Sequence, residues 1–230
     1  MLFDLRSRRR RHTVRVVYLF LAFIMLAGLV GVGIGTGNNN GGILNAFTNN
    51  GGGAQGAAVS QATAAAVKAI KQHPNSSAAW GKMLQARWSA AATGSNYNST
   101  TGVFGSAGKA QLRLGAAAWQ KYLTLTSGKP STVNANTAAE VYQALGQWPK
   151  ASSAWQYVIA AEPAGSTLAL KGYLCTALTS YAAKNTSRGD LATQEALKLA
   201  SKAQKLQFQT TLSAAKSSSA TAAQDAATSC

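Results

Sequence analysis

The run "GQWPKASSAWQYVIAAEP", Gly146 to Pro163, restricts the possible folds of this chain more than any other stretch. A glycine opens it, then come Ala151, Trp155 and Val158, and Pro163 ends it. Residues three and four apart lie on one face of a helix, so a small, a large and a medium side chain are stacked there. Glycine permits the turn that precedes such a helix, and proline cannot continue it. Pro149 falls in the first turn, where no intrahelical N–H is needed. The spacing predicts a helix that packs closely against a neighbour and then stops.

The rest of the chain agrees with a helical reading. Alanine dominates the 47% hydrophobic fraction, and alanine is the best helix former. Runs alternating β-branched or aromatic residues with polar ones are scarce, so strands have little support. The predicted class is all-α.

Upstream of Gly146, the residues Ala138, Ala139 and Tyr142 supply the small, small and aromatic positions of a partner helix. The pair resembles a tetratricopeptide repeat, in which helices A and B form a hairpin and a proline closes the unit. Ala62, Ala69 and Pro74 repeat the offsets of Ala151, Val158 and Pro163, and Trp80, Met83 and Leu84 follow at helix A positions. Ala118, Tyr122, Leu125 and Pro130 form a further B-like set, and residues 167–206 hold a fourth pair without its proline. The resemblance implies a helical solenoid of about three and a half repeats over residues 57–212. Trp80, Tyr122, Tyr142, Gly146, Ala151, Trp155 and Pro163 are its expected packing residues. Trp148, beside Pro149, is expected to be the most exposed aromatic. An insertion at residues 92–108 interrupts the second repeat; it is either a contact element, through Tyr97 and Phe104, or a tolerated excursion. Residues 213–230 read as an Ala/Ser-rich tail that frays.

The N-terminal part is organised differently. Residues 16–34, "VVYLFLAFIMLAGLVGVGI", carry no charge. As a helix at about 1.5 Å per residue they reach across roughly 28 Å, close to a bilayer's hydrocarbon thickness. Twelve are Leu, Ile, Val or Phe, an upper bound of about −4 to −7 kcal/mol for insertion. Arg8, Arg9, Arg10 and Arg11 stand just before the segment, which the positive-inside rule places in the cytoplasm. Residues 1–15 therefore read as a basic cytoplasmic stub, 16–35 as an uncleaved signal-anchor in the lipid bilayer, and 36–56 as a Gly/Asn-rich linker. A cleaved signal peptide shares the order of segments, but no convincing A-x-A site follows the apolar run. This layout is similar to anchored envelope repeat proteins of high-GC Gram-positive bacteria and to ancillary subunits of the secretion translocon.

Little in the chain suggests catalysis. The two histidines, His12 and His73, and five scattered acids beyond the anchor assemble no metal set or carboxylate pair. No G-x-S-x-G elbow occurs. Neither an enzyme nor a cofactor is expected. Of the net charge of +16, the first fifteen residues contribute six arginines and one aspartate. The balance of +11 beyond them is spread as single lysines and arginines. Basic residues interleaved with exposed aromatics would mark nucleic-acid binding, whereas the aromatics here fall at packing positions. The expected function is a membrane-tethered scaffold holding another envelope protein or an extended peptide. The alternative is binding of an anionic polymer, wall polymer or DNA, through the basic repeat domain. The tail's composition favours a buried thiol at Cys175 and a free Cys230; a disulfide between them and an intermolecular bond through Cys230 are the alternatives.

Overall fold

Short polar caps decide where most helices begin. The computed structural model describes residues 52–230, among which nine helices account for most of the chain. These are α1 (Gly52–Gln72), α2 (Ser77–Ala91), α3 (Ser106–Leu125), α4 (Thr132–Ala144), α5 (Trp148–Ala161), α6 (Thr167–Ala182), α7 (Thr186–Leu199), α8 (Lys202–Ser217) and α9 (Ser219–Ser229). Ser76, Ser131, Ser166, Ser201 and Ser218, with Asn185, each accept a backbone N–H from the residue three positions on. That bond satisfies a donor the first helical turn leaves unpaired. At the other end of α4, Gly146 takes a φ of 68°. The Gln147 N–H then donates to the Tyr142 carbonyl at 2.8 Å, a left-handed cap that glycine adopts without strain.

Successive helices form antiparallel hairpins, α2 with α3, α4 with α5 and α6 with α7, and each hairpin packs on the next. α1 packs on α2 from outside the first hairpin. Ala151, Trp155 and Val158 are fully buried, and Ala138, Ala139 and Tyr142 meet them from α4. Trp119 stacks on Tyr122 and meets Tyr157 edge-on at 6.0 Å, so aromatics join α3 to α5 between hairpins. Close approach is essential at Gly172, where an added Cβ would lie 2.7 Å from Ile159 Cγ1 on α5. α6 has no apolar stripe at all. Every residue from Cys175 to Ala182 is buried, because α5, α7, α8 and α9 surround the helix.

Several expectations need correction. Helix begins at Gly52, so the last five residues assigned to the linker are helical; alanines downstream propagate the helix back through them. The expected boundary between 212 and 213 falls inside α8, and the predicted tail is the end of that helix plus α9. Ala222 and Ala226 of α9 are fully buried against α6 and α8. Cys175 and Cys230 are disulfide-bonded with Cα atoms 5.6 Å apart, contrary to the free-thiol reading. Pro163 follows the end of α5 but is exposed and lies outside the buried core. Trp148 is half-buried in the first turn of α5, against the cluster around α6 and α9. Trp80, by contrast, packs half-buried against the core cluster, and its Nε1 donates to the Pro74 carbonyl at 2.7 Å.

The insertion folds into a single 3-10 turn and a two-residue hairpin, Tyr97–Asn98 with Val103–Phe104. Phe104 packs on Tyr97 and Trp88, with ring centroids at 4.7 and 5.8 Å. Both insertion aromatics therefore turn toward the domain.

Candidate interaction face

The first helices of the three hairpins, α2, α4 and α6, bring their polar side chains to one side of the stack. Gln85 of α2 donates from Nε2 to Asn134 Oδ1 of α4 at 2.9 Å, joining the two helices. Two residues further along α4, Asn136 Nδ2 donates to Glu140 Oε1 at 2.7 Å. Burial pushes the Glu140 carboxyl above its ordinary range, while the Asn136 bond and the charge of Lys171 on α6 pull the other way. Lys171 also lies over the Trp155 ring, 5.4 Å from its centroid. Val133 is 39% exposed on this side of α4. The result is a mixed face: hydrogen-bonding amides, one acid within the field of one lysine, and an exposed apolar side chain.

Its other end is occupied. α9 lies across α6 and reaches α4, where Gln143 Nε2 donates to the Ala226 carbonyl at 3.0 Å. A helix of the chain therefore covers the α6 half of the face and leaves the α2–α4 half uncovered by α9.

Two clefts lie elsewhere. One, of about 540 Å³, is largely apolar and runs between α5 and α7 over Tyr173 and Thr176. The Thr176 hydroxyl is buried without a partner. The other, of about 550 Å³, is lined by α1, α2 and the insertion, with Arg87 and Gln111 joined across it at 2.7 Å.

No protein-family model, curated protein or solved structure matches this chain. The face must therefore be judged on its own chemistry. Among the described residues no group of three His, Cys, Asp or Glu side chains could hold a metal ion. The described cations form two ion pairs, Lys198 with Glu195 and Lys216 with Asp190. Asp190 also accepts from the Tyr181 hydroxyl at 2.9 Å. Those two bonds hold its carboxyl below the usual range, the lysine contributing most.

Of the residues singled out from sequence, Tyr122, Tyr142, Ala151 and Trp155 are core residues of the stack. They position the face and do not line it. Gly146 shapes a turn, and Pro163 takes no part. Arg8 to Arg11 and the expected span at 16–35 lie outside the described residues. No helix among the described residues is long and apolar enough to cross a membrane. The face residues Gln85, Val133, Asn136 and Glu140 went unnoticed in the sequence. They occur on the polar sides of α2 and α4, where ordinary solvated residues are also expected.

Proposed function

We propose that this protein is a membrane-tethered, extracytoplasmic scaffold of the tetratricopeptide type, non-catalytic, which holds a segment of another envelope protein against α2 and α4. The observation that carries the reading is the α2–α4–α6 face, already occupied at one end by a helix of the same chain. Stacked hairpins share a continuous core and leave a long face lined by one helix from each. Such faces receive helices or extended segments through spaced anchors with polar groups between them. Val133 supplies an apolar anchor, and Gln85, Asn136 and Glu140 supply hydrogen bonds. The Cys175–Cys230 bond supports an extracytoplasmic location, since disulfides persist in oxidising compartments. The charge-free run at 16–34 behind its arginines supports the tether.

Photocrosslinking in cells tests the reading. A benzophenone residue at Val133 or Gln85 should capture a discrete protein, and one at Leu114, 48% exposed on α3, should not. Equal capture at all three positions, or none at Val133 and Gln85, refutes it. A second reading rests on the sixteen basic and five acidic residues of the described region, of which two acids are ion-paired. Under that reading the protein binds an anionic polymer through unneutralised charge. Polymer binding weakens steeply with salt as counterions are released, whereas capture at Val133 should persist in high salt.

A further inference from the structure

We propose that the apolar cleft between α5 and α7 binds a free medium-chain carboxylate that carries an oxygen on its chain, such as a hydroxy fatty acid. The cleft lies between second helices of the hairpins, away from the α2–α4 face. The inference therefore goes beyond the scaffold reading and does not rest on it.

The cleft follows from how the hairpins stack. α5 and α7 each pack along α6. One hairpin earlier, Trp119 of α3 and Tyr157 of α5 meet edge-on and fill the equivalent space. Between α5 and α7 the facing side chains are smaller: Ile159 and Ala160 form one wall, Leu191 and Ala192 the other. Tyr173 and Thr176 line the cleft from α6. The space of about 540 Å³ falls in the roughly 300–1,000 Å³ range of small-molecule sites. Leu191 is 65% exposed, and a hydrocarbon chain in the cleft covers it.

Two polar groups on this apolar lining define the rest of the occupant. Thr176 is 2% exposed, and its hydroxyl has no hydrogen-bond partner. Thr137, Thr179 and Thr210 each donate to the carbonyl four residues back, whereas Thr176 makes no such bond to Gly172. An unpaired buried hydroxyl is costly, and an oxygen on the bound chain supplies its partner. Arg188, in the first turn of α7, lines the same cleft and has no ion-pair partner among the described residues. Glu195, two turns further along α7, is already paired with Lys198. The carboxylate therefore belongs at the Arg188 end. From Arg188 to Glu195 the helix rises about 10 Å, which suits one acyl chain of medium length and not a two-chain membrane lipid. An extended peptide fits worse, because its backbone presents a donor and an acceptor at every residue and the apolar walls offer no row of partners.

The full chain in lipid nanodiscs, equilibrated with a diazirine-bearing decanoate and irradiated, provides the test. Labelling of segments 156–176 and 188–195 should saturate. Among unlabelled decanoates each hydroxylated at a different carbon, at least one should compete about threefold or more better than decanoate itself, the gain from one hydrogen bond. Decanoate should likewise outcompete its methyl ester by about threefold or more. Thr176→Val should abolish the preference for the hydroxy acid and leave decanoate binding unchanged. That variant should also melt no lower than the natural chain, since it loses an unpaired hydroxyl. Arg188→Gln should abolish the preference for acid over ester and keep the preference for the hydroxyl. Labelling of these segments that does not saturate overturns the site, as does saturable labelling by a diazirine phospholipid with none by the decanoate. A hydroxyl preference that is absent, or that survives Thr176→Val, overturns the assignment of the chain oxygen. An acid preference that survives Arg188→Gln overturns that of the carboxylate. None of these results depends on an envelope partner, so crosslinking at Val133 stands or falls separately.

Discussion

Replacing Cys230 by serine should destabilise the domain by an amount set mainly by its unfolded state. The bond joins residues separated by 55 positions. Closing a loop of that size removes about 4 kcal/mol of chain entropy from the unfolded ensemble at 25 °C. Folded-state losses are smaller. Burial of the Ala222 and Ala226 methyls adds about 1–2 kcal/mol at most, and α9 forfeits that only if it undocks. A domain of this size shifts by roughly 2–4 °C per kcal/mol, so the melting temperature should fall by roughly 8–16 °C. Denaturant unfolding of the full chain, compared between the oxidised protein, the reduced protein and Cys230→Ser, measures the loss directly. Reduction and substitution should agree, and Cys175→Ala combined with Cys230→Ser should cost no more than about 1 kcal/mol beyond the single change, a large-to-small trim at one core site. A loss below about 1 kcal/mol would refute the reasoning, because it would mean that the unfolded chain already keeps those residues close.

Other perturbations test the stack and its charges. Trp155→Ala removes a fully buried side chain between α4, α5 and α6, and equilibrium unfolding should show a loss of about 3–5 kcal/mol. Gly146→Ala forces a Cβ into a φ of 68°, at a cost of about 1–2 kcal/mol in the same assay. The folded-state pKa of Glu140 is raised by burial. An acid shifted upward is penalised in its charged form, so its contribution falls as pH rises from the unfolded toward the folded pKa and stays low above it. Glu140→Gln should therefore raise the melting temperature at neutral pH and lose that advantage below pH 4. Tyr181 is pushed from 10.0 up to about 12, chiefly by burial, with Asp190 also acting to raise it. Above pH 10 the unfolded chain ionises this phenol and the folded one resists. Stability should fall between pH 10 and 12, and Tyr181→Phe should flatten that limb of the melting-temperature profile.

The helices and their pairing were legible because they depend on neighbours within a few residues. Ala151, Trp155 and Val158 are core residues because a helix places those offsets on one face, and the turn at Gly146 follows from glycine's tolerance of positive φ. Pro163 was misjudged for a related reason: proline ends a helix through its own backbone, whether or not its ring touches anything. The serine caps were equally local. Ser76, Ser131 and Ser166 each stand one residue before a helix and could have fixed its start to within a residue.

The candidate face was less legible because its contacts cross between helices distant in sequence. Gln85 meets Asn134 across 49 positions, and Lys171 acts on Glu140 from another hairpin. The pitch of the stack, set by side-chain volumes at every layer, decides such pairings. By itself the sequence determined an all-α chain of packed hairpins, since alanine content, caps and period act locally along the backbone. Only the tertiary structure decided that the last helix turns back onto α6, bringing Cys230 within bonding distance of Cys175. Composition marks "AAKSSSATAAQDAATSC" as a tail because alanine and serine bury little surface. The ring of helices around α6 makes small residues the ones that fit there.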